Sequence, residues 1–259
     1  MARIRTRYFY DAGLVEILHQ EFAGGRGKPE GIIFPTEKAI RILNNSELAT
    51  GKEGITLPAI NLRNLNHQLL INWVRIHLTS MENQIPQLSV KYLSSFAEMD
   101  AYHIDIVNSK LGNVLIPDGI FSISYEPQQK SLLFFLEADM GTETLTSQNP
   151  SRNDFRRKIL EYQHIFQSQL YKRFESIFGC QFNGFRTLVV ADSKSRLSQL
   201  CRLAKSMKST GFIWLTDKDS IFANGISDLI WFKGGDAEAG PFSIIGSTLT
   251  FKNLIEIPK

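Results

Sequence analysis

Apolar residues recur at steps of three and four from Phe155 through Ile159, Tyr162, Phe166, Leu170 and Phe174 to Ile177, the period of a helix that buries one stripe. This predicts a long helix over 152–178. A second helix is expected over 62–78, where Leu65, Leu69, Trp73 and Ile76 form one stripe and Ile71, Val74 and Leu78 another. Two stripes imply burial nearly all round, against a sheet. Elsewhere the pattern shortens to strand length, at 88–92, 102–107, 115–124, 132–141, 186–191 and 212–216. Between the last two runs lies a basic amphipathic helix, 195–207, with Leu197, Leu200, Leu203 and Ala204 inward. Strand, helix, strand implies a parallel crossover, and with it a mixed sheet covered by helices. Further short strands are expected over 226–232 and 241–257.

The first 45 residues follow a different order. A short basic and aromatic helix, 2–10, closes at Gly13, which suits a left-handed cap. A strand at 14–22 and a partner at 32–35 flank a glycine-rich tip carrying Arg26 and Lys28, and Thr36 caps a helix over 37–43. Helix, hairpin, helix matches the back half of a winged helix. Its first helix, with Arg3, Arg5 and Arg7, would enter the major groove, and its tip would touch phosphates. The opening helices of a complete module are missing, so either the chain is truncated or another subunit, a second copy or a protein partner, completes it. A polar, glycine-containing stretch, 46–60, reads as a linker to the remaining domain, 61–259. A generic small α+β lobe is the competing reading of residues 1–45.

Chemistry concentrates on LIPDGIFSIS and LLFFLEADMG, which Glu126-Pro127-Gln128-Gln129 joins as a hairpin turn. Pairing Tyr125 with Lys130 and counting outward sets Asp118 opposite Glu137, with Cβ atoms about 5 Å apart. Asp139 shares that face. Three converging carboxylates repel one another unless protonated or sharing a cation, which points to a divalent metal such as Mg²⁺ or Mn²⁺. The competing reading is solvated acids at a strand end. Lys158, early in the long helix, could return an ammonium to this centre, with Tyr162 and Gln163 one turn later as polar contacts. His67, near the start of the other helix, could ligate metal or act as a base, although a satisfied helix-start histidine is the commoner case. His19, His77, His103 and His164 show no metal-ligand spacing.

At 259 residues and 43% hydrophobic content the chain can bury a full core. The net charge of +3 does not demand a polyanion, but the basic residues cluster. Arg152, Arg156, Arg157 and Lys158 form one group and Lys194, Arg196, Arg202, Lys205 and Lys208 another, offering local faces to DNA phosphates. Cys180 and Cys201 form no CxxC pair, no apolar run reaches membrane-spanning length, and the N-terminus lacks a signal-peptide core. A protein of the reducing cytoplasm with no membrane association is expected. No phosphate-binding GxxxxGKS loop and no nucleophile elbow occur, which disfavours nucleotide and serine hydrolysis.

The order helix, antiparallel strands carrying Asp and then Glu-x-Asp, long helix, strand resembles the restriction-endonuclease-like core called PD-(D/E)XK. Asp139 stands where that motif expects lysine. Taken with RTRYFYDAGLVEI, IIFPTEKAIRIL, LNHQLLINWVRIHL, RRKILEYQHIF and TLVVADSKSRLSQLCRLAK, the chain resembles the replication-relaxation family, DNA-binding proteins of plasmids and other mobile elements. The resemblance implies an α/β fold, a partial winged helix followed by a nuclease-like mixed sheet flanked by helices. It also implies DNA as partner and a role in replication control or DNA relaxation. Two functions stay open: a protein that cuts or nicks DNA through Asp118, Glu137, Asp139 and Lys158 with Mg²⁺ or Mn²⁺, and an inactive DNA-binding regulator or interaction subunit built on the same core.

Overall fold

A computed structural model of the protein describes residues 2–19, 31–45, 64–93, 106–107, 114–147 and 154–246. The chain divides into two compact units, 1–62 and 63–259.

In the first unit α1 (Ala2–Asp11) ends at Gly13, whose φ of +67° carries the left-handed turn. The N–H groups of Ala12 and Leu14 donate to the carbonyls of Tyr8 and Phe9 at 2.9 and 2.8 Å, closing that helix end. Strands β1 (Val15–His19) and β2 (Gly31–Pro35) pair antiparallel, from Val15 opposite Pro35 to His19 opposite Gly31. Helix α2 (Glu37–Asn44) starts on Thr36, whose hydroxyl oxygen accepts from the Ala39 N–H at 3.3 Å while its O–H donates to the Gly13 carbonyl at 2.7 Å. One threonine thus caps one helix and ties it to the end of the other. The expected wing-tip residues Arg26 and Lys28, and the expected linker 46–60, lie outside the described residues.

The second unit is built on a six-stranded mixed sheet, whose strands lie side by side in the order 232–233, 213–217, 185–191, 130–139, 119–125 and 88–93. Helix α3 (Leu65–Gln84) leads into β3 (Leu88–Leu93), which pairs antiparallel with β6 (Gly119–Tyr125), and β6 with β7 (Lys130–Asp139). A separate short pair, β4 (Ile106–Val107) and β5 (Val114–Leu115), lies between β3 and β6 in sequence. After β7 come α4 (Phe155–Gln167) and α5 (Phe174–Phe178), and then β8 (Phe185–Ala191), parallel to β7. Helix α6 (Lys194–Ser206) crosses to β9 (Ile213–Asp217), parallel to β8, as the strand-helix-strand pattern predicts. Helix α7 (Lys218–Asn224) and the edge strand β10 (Phe232–Lys233), antiparallel to β9, complete the unit.

Strand alternation sends Phe121, Phe134, Leu136, Leu188 and Val190 to one face, where α3 covers them with Leu70, Val74, Leu78 and Met81. Ile120, Leu133 and Phe135 face the other way, under Tyr162, Ile165 and Phe174. Each fully buried side chain of this size contributes about 1.5–3 kcal/mol. Glu137 and Asp139 continue the parity of Phe135 along β7, so both acids point toward the α4 and α6 side of the sheet.

The elements depart from expectation in three places. The long apolar stripe is not one helix: α4 ends at Ser168, Gln169 turns left-handed at φ +57°, and a 3₁₀ turn, Leu170–Arg173, leads to α5. The Ser168 hydroxyl donates to the His164 carbonyl at 2.7 Å, taking an acceptor at the end of the last turn. Helix α3 is buried on one side, with Ile76 49% exposed on the other. Of the C-terminal strands expected, β10 and an isolated Trp231–Phe242 bridge form within the described residues. No helix among the described residues is long and apolar enough to cross a membrane.

Candidate functional site

Asp118 immediately precedes β6, and its N–H donates to the Leu136 carbonyl at 2.9 Å, extending the ladder one step past the Gly119–Leu136 pair. Tyr125 faces Lys130, as counted from sequence, so Asp118 falls opposite Glu137. Glycine follows Asp118 for a reason: a Cβ at 119 would collide with the Tyr92 hydroxyl. The Asp118 Oδ2 accepts from the Ala138 N–H at 2.8 Å and lies 3.0 Å from His67 Nε2 at the start of α3. That hydrogen bond raises His67 above its ordinary 6.5, against the opposing pull of burial.

Glu137 is 2% exposed. Its Oε1 accepts from the Tyr162 hydroxyl at 2.5 Å and its Oε2 from the Lys158 ammonium at 3.0 Å. Burial pushes its carboxyl up to about 7, with the Asp118 charge adding to the rise and the Lys158 ammonium countering it. Lys158 and Tyr162 stand one turn apart on α4, which places both over the same acid. Lys158 also lies 3.1 Å from Glu143 Oε2. Burial works against its charge, but Glu137 and Glu143 outweigh burial and hold the ammonium above the ordinary lysine value.

The His67–Asp118 pair makes stability depend on pH. A histidine raised on folding contributes fully below its unfolded value and loses that contribution as pH climbs through the raised one. The melting-temperature gap between wild type and His67→Asn is therefore expected to be wider at about pH 6 than at about pH 8.5. An equal gap at both would mean that the imidazole is not charged against Asp118.

Asp118, Glu137, Lys158, Tyr162 and His67 thus come together, and two expected members do not join them. Gln163 donates instead to the Lys208 carbonyl at 2.6 Å. Asp139 takes the Arg196 guanidinium on both oxygens, Nε on Oδ1 and Nη2 on Oδ2, each at 2.9 Å. Arg196, read from sequence as part of a phosphate-facing basic run, is instead turned onto this carboxylate. Glu143 and Arg196 were not singled out for the site by sequence. Arg196 occupies the first turn after a parallel strand neighbouring β7, where residues of adjacent strand ends meet, but the loop position of Glu143 carries no periodic signal.

Among the described residues no group of three or more His, Cys, Asp and Glu side chains could hold a metal ion. Asp139, the third carboxylate of the centre expected from sequence, has both of its oxygens on the Arg196 guanidinium. Asp118 and Glu137 remain a facing pair, and hard cations such as Mg²⁺ are commonly bound by one or two carboxylates completed by water and a substrate phosphate. The Lys158 ammonium supplies the positive charge in that position.

Of the expected DNA-contacting residues, Arg3, Arg5 and Arg7 belong to α1, and Arg5 and Arg7 are exposed. Arg156 is exposed and Arg157 half-buried on the first turn of α4, while Arg152 lies outside the described residues. Lys205, on α6, is paired with Asp236 at 3.2 Å.

The family model for replication-relaxation proteins matches residues 2–179, more than half of the chain. The protein belongs to the replication-relaxation family. No curated protein and no solved structure matches it. The matched region spans α1, β6, β7 and α4 and stops before β8 and Arg196. Family membership makes this a replication-related protein.

Proposed function

We propose that this replication-relaxation protein binds DNA of a plasmid or other mobile element, and that its larger unit nicks or cuts that DNA with Mg²⁺ or Mn²⁺. The observation that carries the reading is the Asp118–Glu137 pair with the Lys158 ammonium 3.0 Å from Glu137. It resembles the acid-acid-lysine set of a PD-(D/E)XK nuclease, with the lysine supplied by a helix. The order α3, three antiparallel strands, α4 and a strand parallel to the third supports the same reading.

In this mechanism Asp118 and Glu137 would hold the cation, which would supply activation of water and offset charge on the phosphate. The Lys158 ammonium would neutralise charge developing on the phosphoryl group. Tyr162 fixes the Glu137 rotamer through its O–H, and His67 orients Asp118. Arg156 and Arg157 lie beside Lys158 in sequence and neutralise flanking phosphates, while Arg5 and Arg7 of α1, with Arg3, Arg26 and Lys28, bind duplex phosphates and the groove.

The inactive-regulator reading draws support from Asp139, since the lysine's usual place on the strand is occupied by an aspartate already committed to Arg196. Supercoiled plasmid incubated with Mn²⁺ separates the two. Wild-type protein should yield open circles or linear DNA and Asp118→Ala should not. Equal activity in both preparations would remove the nuclease reading, and salt-sensitive DNA binding without any cleavage would leave the regulator.

A further inference from the structure

Lys158 reaches the acids from α4, and the strand position where a nuclease of this type would carry its lysine holds Asp139. These two departures are physically connected. Asp139 is 2% exposed in its side chain and Arg196 11%, so their two-bonded ion pair is shielded from water. Asp139 Oδ1 also accepts from the Gly141 N–H at 2.7 Å, and Arg196 Nη2 donates to the Glu143 carbonyl at 2.6 Å. The chain leaving β7 is therefore pinned to one guanidinium over its first turns. Its far side is fastened as firmly. The carbonyls of Thr144 and Leu145 accept from the N–H groups of Phe155 and Arg156, both at 3.1 Å, and Asp154, the N-cap of α4, accepts from the Ser147 N–H at 2.6 Å. Between these fastenings the Glu143 carboxylate meets the Lys158 ammonium at 3.1 Å.

We propose that Glu143 is a positioning residue for Lys158, and that the Asp139–Arg196 pair is what aims Glu143. The proposal rests on reading Lys158 as the lysine of the nuclease-like site. A lysine stem has many accessible rotamers, so an ammonium held by one acceptor wanders when that acceptor is engaged elsewhere. Glu137 is such an acceptor, because the proposed reaction requires its carboxylate for the cation. Glu143 gives Lys158 a second anchor at nearly the same distance, on a backbone hydrogen-bonded on both sides of it. A lysine carried by the strand would need no such holder. One carried by a helix does, and the residue left at the strand position builds it.

The test compares full-length wild type with Glu143→Gln, Glu143→Asp and Arg196→Lys. A carbodiimide condenses an adjacent amine and carboxyl to an amide and is itself hydrated to the urea, so it should join Lys158 to Glu143 in the wild type, read by peptide mass spectrometry. The exposed Lys205–Asp236 pair serves as internal standard. Arg196→Lys keeps a cation on Asp139 but lacks the second arm that grips the Glu143 carbonyl, and the Lys158–Glu143 product is expected to fall about tenfold against the standard. An unchanged yield overturns the aiming role. In plasmid nicking, Glu143→Gln is expected to lower the single-turnover rate about 10–100-fold at unchanged DNA affinity, with part of the loss restored in Glu143→Asp. A Glu143→Gln rate equal to wild type overturns the positioning role. If the wild type does not nick DNA at all, the nuclease reading fails by itself, and the cross-link yields still decide whether Arg196 aims Glu143 at Lys158.

Discussion

Replacing Arg196 by alanine is expected to destabilise the 63–259 unit by about 3–5 kcal/mol, the range for breaking a buried ion pair from one side. The cost comes less from the lost attraction than from what remains. Asp139 would be left at 2% side-chain exposure with the Gly141 N–H alone of its three hydrogen-bond donors, and the Glu143 carbonyl would lose its donor. Urea unfolding measures this as a lower midpoint at unchanged slope. Removing both charges together, as Asp139→Leu with Arg196→Met, should recover most of the loss, because no desolvated carboxylate is then left. A single-variant loss below about 1 kcal/mol would mean that water reaches Asp139 and the pair behaves as a surface bridge.

Lys158→Met is expected to slow plasmid nicking about 10²–10³-fold, the cost of removing one preorganised charge from a phosphoryl-transfer site. The methionine fills a similar volume, so loss of packing is a minor contributor. The same variant changes the titration of Glu137. With its ammonium partner the buried carboxyl already stands at about 7 against an ordinary 4.5, so the folded chain keeps a proton that the unfolded chain releases. Over that window the Glu137 contribution to stability falls as pH rises. Without Lys158 the carboxyl moves higher still, and the window extends upward. Lys158→Met should therefore lose more melting temperature than wild type between about pH 6 and about pH 8. A variant that nicks at the wild-type rate would remove Lys158 from the chemistry. One that melts with unchanged pH dependence would mean that Glu137 does not feel the ammonium.

The hairpin and its acid pair were legible because period-two alternation and the turn at 126–129 leave a single register with apolar residues inward. Lys158 and Tyr162 were legible for a related reason, since residues four apart on a helix share a face. The helix break at Gln169 was not, because a 3₁₀ turn advances by three residues and preserves the spacing of the stripe across the interruption. Helix α3 read as buried all round because Trp73 and Ile76 are apolar, whereas the covering sheet lies on one side. The Asp139–Arg196 contact was not legible either. Asp139 shares a face with Glu137 as alternation requires, but its guanidinium comes from 57 residues further along, and local spacing carries no record of that contact.

The acids stand at the open end of the hairpin and Gln129 at its closed end, separated by the seven cross-strand pairs that run from Gly119–Leu136 to Tyr125–Lys130. At strand rise this puts the tip roughly 20–25 Å from the acids. A fluorophore or affinity tag spliced into 126–129 would thus report on the protein from a distance and leave its chemistry alone. A single residue added to either arm would turn one carboxylate inside out.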